Sequence, residues 1–242
     1  MKRIKFIILV SIMTIIGCYE NKISEPKVLS ADALKALVTS AANKDKKAND
    51  SLFNLIDFEM ADNIPYKFIK VDSFYLDSIK YFSVLIEHLN PLYNRLAIYD
   101  TAANCYLIDK SLNGRLSSEV VEIINLKLFK VIESFIYKDT LSVVRLSLYR
   151  KIDDYINLVY RSFAELKTLK NTFNQTINFI SHDTIKTQIH VPKKYSLDSK
   201  EDVFVFNYAD KLYHSNQSIF DSLVYKEIAN FTLEVQKPKK YY

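Results

Sequence analysis

The side chains able to carry chemistry are few and scattered. The four histidines are His88, His182, His190 and His214. None lies in an H-E-x-x-H segment, and no glutamate precedes a histidine by three positions. Neither a zincin helix nor a di-iron bundle is therefore encoded. His182-Asp183 and His190 fall in one connecting segment where they could approach one another, and surface or structural roles are expected for them. The cysteines are Cys18 and Cys105, too few and too far apart for a zinc site. Acids stand side by side at Asp153-Asp154 and Glu201-Asp202. Neighbours on a helix point about 100° apart, so neither pair makes a carboxylate dyad, and the second suits a helix N-terminus. No serine is flanked by glycines as in a nucleophile elbow. No catalytic, cofactor-binding or metal site is expected, and the chain does not read as an enzyme.

The informative cysteine is Cys18. Before it stand Lys2, Arg3 and Lys5 and then an apolar run from Phe6 to Ile16. That is the layout of an export signal, well short of the ~20 apolar residues that span a bilayer. The run closes on Ile15-Ile16-Gly17-Cys18, which resembles the lipobox of bacterial lipoproteins. The resemblance implies cleavage before Cys18, a thioether-linked diacylglycerol on its sulfur and acylation of the new terminus. It divides the chain into a signal at 1–17, a tether at 18–30 containing Pro26, a helical domain at 31–236 and a basic tail at 237–242. Tyr19 after the lipidated cysteine, in place of the aspartate that retains enteric lipoproteins at the inner membrane, points to the outer membrane. The signal carries three basic residues and no acid, so the mature chain keeps 30 basic against 28 acidic residues, a net +2. Such a balance excludes the concentrated basic face of a nucleic-acid-binding protein. With Cys18 committed to lipid, Cys105 has no partner for an intramolecular disulfide and reads as a small buried hydrophobe.

The elements expected to carry these residues are helical. The chain contains two glycines, Gly17 and Gly114, where about 7% usage would give roughly seventeen. Tight hairpins and phosphate-cradling loops both draw on glycine, so sheets rich in short turns are disfavoured. Short helices are expected after Ser30, on Leu34, Leu37 and Ala41, and over Leu52 to Met60. The charged run Asn43–Asp50 separates them and Asn63-Ile64-Pro65 ends the second. Tyr75, Ile79, Phe82, Ile86 and Leu89 recur at steps of three and four, one helical face. Asn90-Pro91 starts another helix, which continues through Leu96, Tyr99, Ala103 and Tyr106 to a cap at Asn113-Gly114. Ser117-Ser118-Glu119 opens a broadly apolar helix, and residues 140–181 read as one long helix or two with a break near 167–171. Thr184–Tyr195 is an extended connection, a helix follows from Ser199 to Tyr213, and a last one runs from Ser218 to Val235. The fold class expected is all-α, an irregular bundle of about five to seven helices.

Seventeen tyrosines and no tryptophan distinguish the composition. Tyr75, Tyr99, Tyr106 and Tyr155 fall on the inward faces of these helices, while Tyr160 and Tyr208 lie off them, where tyrosine serves binding surfaces. A lipobox, a polar tether and a glycine-poor helical body rich in Lys, Ile, Asn and Tyr are together similar to spirochaetal surface lipoproteins of the complement-regulator-acquiring group. The resemblance implies a non-enzymatic protein held to the membrane by the lipid on Cys18 and binding a host or envelope protein. A periplasm-facing structural or assembly lipoprotein is the alternative.

Overall fold

Two-residue alternation, not helical periodicity, organises most of the chain. The computed structural model describes residues 31–43, 45–55, 66–89, 94–102, 104–137, 140–193, 195–197 and 200–236. Helices α1 (Ala31–Ala42) and α2 (Lys46–Leu55) come first. Asp45 caps α2 through its carboxylate, which accepts the Ala48 N–H at 2.9 Å. A four-stranded meander follows: β1 (Tyr66–Leu76), β2 (Ile79–His88), β3 (Arg95–Asp100) and β4 (Cys105–Asp109). The chain then crosses to an eight-stranded meander of β5 (Arg115–Ile123), β6 (Leu126–Tyr137), β7 (Leu141–Ile152), β8 (Tyr155–Lys167), β9 (Thr172–Ser181), β10 (Thr184–His190), β11 (Glu201–Asn207) and β12 (Leu212–His214). Helix α3 (Ile219–Gln236) closes the described chain. Every strand pair is antiparallel and joins sequence neighbours.

Period-two burial stacks these elements in layers. One face of the small sheet, with Val84, Ile86, Ala97 and Tyr99, packs under Leu34, Ala41 and Leu52 of the helices. Its other face, with Phe74, Tyr81, Leu85 and Ile98, packs on Phe129, Val131, Tyr149 and Ile156 of the large sheet. Phe74 stacks on Phe129 at 4.4 Å between ring centres, an offset geometry that adds to simple area burial. Helix α3 covers the other end of the large sheet through Phe220 and Val224 against Val143, Phe163 and Phe173. The large sheet also curls. Leu128, Leu148, Tyr160, Ile185, Phe204, Phe206 and Tyr213, drawn from β6 to β12, share one core.

The all-α helical bundle is therefore overturned, and the reason lies in the turns. Between β1 and β2, Asp77 and Ser78 both take positive φ, 48° and 66°. Between β5 and β6, Ile124 and Asn125 do the same at 50° and 59°. This double left-handed geometry is that of the two-residue hairpin turn whose twist matches paired strands. Asp153-Asp154 and His182-Asp183 turn β7 into β8 and β9 into β10. Asn and Asp tolerate the left-handed region well enough to replace glycine, as Asp77, Asn125 and Asp153 do here. The helix expected from Asp72 to Leu89 is the β1–β2 hairpin, and the one expected from Ser117 is β5–β6. Residues 140–181 are three strands, and Ser199–Tyr213 holds β11 and β12. The first and last helices expected are present, but α2 begins inside the charged run read as a breaker. Asn63-Ile64-Pro65, Asn90-Pro91 and the tail at 237–242 lie outside the described residues, as do the signal and tether.

Gly114 sits at φ 64°, and a Cβ there would lie 2.2 Å from the Ser134 carbonyl oxygen. Its carbonyl accepts from Asn94 Nδ2 at 2.8 Å, and Asn94 Oδ1 in turn takes the His88 N–H at 2.8 Å. Gly114→Ala is expected to lower unfolding free energy by at least about 2 kcal/mol, since backbone must move as well as φ strain be borne. Ile124→Asn is expected to raise it by about 1 kcal/mol, because a β-branched side chain is relieved of the left-handed region. Chemical denaturation of both variants tests the pair of opposite signs.

Candidate functional site

Strand pairing stops early at one seam of the large sheet, and the site forms there. β8 has 13 residues and β9 has 10, yet they pair only at Glu165–Asn174, Leu166–Phe173 and Lys167–Thr172. Beyond that point the backbone of β8 still needs partners, since an unpaired buried amide costs about as much as a lost hydrogen bond. Side chains supply them. The Phe163 N–H donates to Asp221 Oδ1 of α3 at 2.8 Å, and the Phe163 carbonyl accepts from Gln175 Nε2. Ser162 Oγ joins the two, donating to Asp221 at 2.7 Å and accepting from Gln175 at 2.7 Å. Burial raises the Asp221 carboxyl above its ordinary range, against the hydrogen bonds from Phe163 and Ser162.

The strands that diverge from the seam bound an apolar pocket of about 280 Å³. Val121 and Ile123 of β5, Ile132 of β6, Leu146 and Leu148 of β7, and Ile177 and Phe179 of β9 form its walls. Lys130 and Gln175 are the polar side chains on it. Lys130 is anchored at the rim by Glu119, Nζ to Oε1 2.7 Å, with the two side chains 25% and 54% exposed. The far end is tied where the turns meet. A ring nitrogen of His182 lies 2.6 Å from the Ile124 carbonyl, and Lys211 pairs with Asp153 at 3.3 Å. Tyr213 OH donates to the His182 carbonyl, and burial pushes this phenol up to about 12. An apolar wall with few polar groups is the usual make-up of a small-molecule site.

The opposite face of the same strands carries a charged network. Glu133, fully buried, accepts from Arg145 through both carboxylate oxygens, from Asn113 N–H at 2.7 Å and from Ser147 Oγ at 3.2 Å. Arg161 donates to Asp109 Oδ2 at 2.6 Å, to Ser147 Oγ at 2.7 Å and to Ser111 Oγ. Tyr149 OH donates to the same Asp109 oxygen at 2.6 Å. Burial alone would raise the Asp109 carboxyl, but Arg161 and the bonds from Ser111 and Tyr149 outweigh it and hold it below the ordinary range. Both acids are satisfied within the network, so it serves as a clamp on the segment 109–114 that joins the two sheets.

The residues singled out from the sequence are dispersed. Cys18, the lipidation site, lies outside the described residues. Cys105, expected to be buried, is exposed on β4 with its thiol near the Leu107 carbonyl. His182 sits at the β9–β10 turn and His190 at the far end of β10, where it meets Thr176 Oγ1 at 3.1 Å, so the two do not approach. Asp153-Asp154 forms a turn. Asp202 does serve a helix N-terminus, but from strand β11, accepting the Ile219 N–H of α3 at 3.0 Å. Tyr75 and Tyr155 are exposed where burial was expected; of the two tyrosines off the expected helix faces, Tyr160 is buried and Tyr208 exposed. The pocket residues were missed altogether. The β-branched and aromatic run Val203-Phe204-Val205-Phe206, short and bounded by polar residues, was the available signal for strands in this half of the chain. Among the described residues no three His, Cys, Asp or Glu side chains gather as a metal site. Comparison of the chain with protein-family models, curated proteins and solved structures finds no match.

Because Asp109 titrates lower when folded than its ordinary 3.8, its stabilisation is complete above that value and is lost as pH falls through the folded pKa. Asp221, raised, has the opposite sign: its contribution is present below 3.8 and fades as pH rises through its folded value. Asp109→Asn is expected to cost about 3 kcal/mol at pH 7 by removing the nearer of the two carboxylates beside Arg161, the other, Glu133 Oε1, lying 3.9 Å from its Nε. It should also flatten the loss of stability below 3.8. Urea unfolding at a series of pH values measures both.

Proposed function

We propose that the chain is an exported protein, anchored to a bacterial membrane through lipid on Cys18, which binds an apolar small molecule in the pocket beside the β8–β9 seam and does not transform it. One observation carries the binding part: an apolar wall contributed by β5, β6, β7 and β9 around about 280 Å³. Half-buried Val121, Ile123, Ile132, Ile177 and Phe179 leave apolar surface facing this space. The polar groups that meet there are two, and the lining contains no nucleophile or acid–base pair. The anchor rests on Lys2, Arg3, Lys5, the apolar run and Ile15-Ile16-Gly17-Cys18. No helix among the described residues is long and apolar enough to cross a membrane.

A second reading, in which the protein docks a host or envelope protein, draws on the outer face of β11. There Val203 and Val205 are 48% and 54% exposed, and Tyr208 in the turn that follows is 71% exposed. Apolar residues clustered on one strand face are a common feature of interaction sites.

Leu146→Arg, which places a charge in the pocket wall, is expected to abolish uptake of an apolar fluorescent probe that the parent binds. Circular dichroism and unfolding of the same variant check that it is folded. Uptake by Leu146→Arg equal to the parent's sinks the pocket reading. Cys18→Ala is expected to move the protein out of the membrane fraction, and unchanged fractionation would remove the anchor.

A further inference from the structure

The geometry points to a ligand of one chemical class: a single saturated or near-saturated acyl chain bearing an anionic head, the chain in the pocket and the head on Lys130. The inference rests on the pocket reading above and specifies its occupant. Volume comes first. About 280 Å³ falls just below the range of roughly 300–1,000 Å³ usual for small-molecule pockets. It accommodates one chain, and the two chains of a phospholipid exceed it. Wall chemistry comes second. Branched aliphatic side chains and one phenylalanine give dispersion contact without directional polar groups, which suits a methylene chain better than a sugar, nucleotide or peptide.

Charge comes third. Gln175 has its amide N–H groups committed to Ser162 and to the Phe163 carbonyl, so it belongs to the seam. That leaves Lys130 as the lining residue with a charge to offer. Its position is suited to a ligand head: the aliphatic stem lies along the wall and the ammonium reaches the rim. Its present partner, Glu119, is a half-exposed carboxylate on the edge strand β5, and such surface pairs are worth only about 0–1 kcal/mol. A ligand carboxylate or phosphate at the rim would take the place of Glu119 on Lys130 at little cost, while a cationic head would meet the same ammonium and be repelled. Glu119 thus acts as an internal competitor for the head group. Removing either member of the pair must then change ligand preference in opposite directions.

The test uses the full chain and three ten-carbon probes, decanoate, decanol and decylammonium, with decyl phosphate as a fourth, each titrated by calorimetry at low salt. The parent is expected to prefer decanoate to decanol by about fivefold and to bind decylammonium weakest. Lys130→Met should bring decanoate and decanol to equal affinity without weakening decanol. Glu119→Gln should widen the decanoate preference by up to about fivefold, and 1 M salt should narrow it. Decyl phosphate binding more tightly than decanoate would assign the head as phosphate, and weaker binding would assign it as carboxylate; both support the class. Equal binding of decanoate and decanol by the parent, or a preference that survives Lys130→Met, overturns the anionic head while leaving the pocket intact. Binding of all four probes that Leu146→Arg does not diminish overturns the pocket reading itself. Both charge variants alter side chains at the rim, so unfolding curves matching the parent's are the expected control.

Discussion

Two arginine–carboxylate pairs, set side by side against one face of the large sheet, hold the two halves of this molecule in register. The segment 109–114 is the only covalent path from the four-stranded sheet to the eight-stranded one. Past Asp109, which ends β4 opposite Leu96, its residues have no strand partners, so their polar groups require others. Asp109 and Ser111 meet Arg161, the Ser111 carbonyl meets Arg145, and the Asn113 N–H meets Glu133. These contacts fix where β5 begins, and Leu116 N–H then reaches Glu87 of β2 at 3.1 Å. A buried charge pair is not by itself a large source of stability, because desolvation offsets its attraction. What it contributes here is position. An arginine fork accepts one arrangement of acids, and a connector so tied can place the aromatic cluster of Phe74, Tyr81, Phe129 and Tyr149 in one way only.

The reading of the sequence failed where two periods overlap. Strands buried on both faces carry apolar residues at most positions, and from such a run steps of three and four can be picked as easily as steps of two. Tyr81 and Leu85 face the large sheet while Val84 and Ile86 face the helices, so Tyr81–Ile86 of β2 read as an apolar run broken by Ser83 alone. The scarcity of glycine then seemed to exclude hairpins. It excluded only the commonest chemistry for them, because Asp77, Asn125 and Asp153 adopt the same left-handed backbone, and Ile124 is held there by the ladder on either side. Gly114 was legible as a residue needing positive φ, though it precedes strand β5 and ends no helix. Helices α1 and α3 were legible because each buries one face only. The pocket was not, since it depends on where pairing between β8 and β9 ends, and that is decided by Gln175 and Asp221 reaching the backbone from other elements.

The clamp and the pocket lie on opposite faces of β6, β7 and β8, and the strands serve both through their alternation. On β6, Glu133 turns to the clamp and Ile132 to the pocket. On β7, Arg145 and Ser147 turn one way and Leu146 and Leu148 the other. A bulge or slip of one residue would exchange these faces, burying charge in the pocket and breaking the network. The ladder in fact contains irregularities between Val144 and Arg145 and between Leu148 and Tyr149, just outside the stretch from Arg145 to Leu148. The stretch between them keeps regular pairing, with Arg145 to Phe163, Leu146 to Ser162, Ser147 to Arg161 and Leu148 to Tyr160. The network thus has a second consequence beyond joining the sheets. By pinning the register of β6–β8 on the face that meets the small sheet, it holds the apolar side chains of the opposite face around a space they do not fill, which packing of the aliphatic side chains alone would tend to collapse.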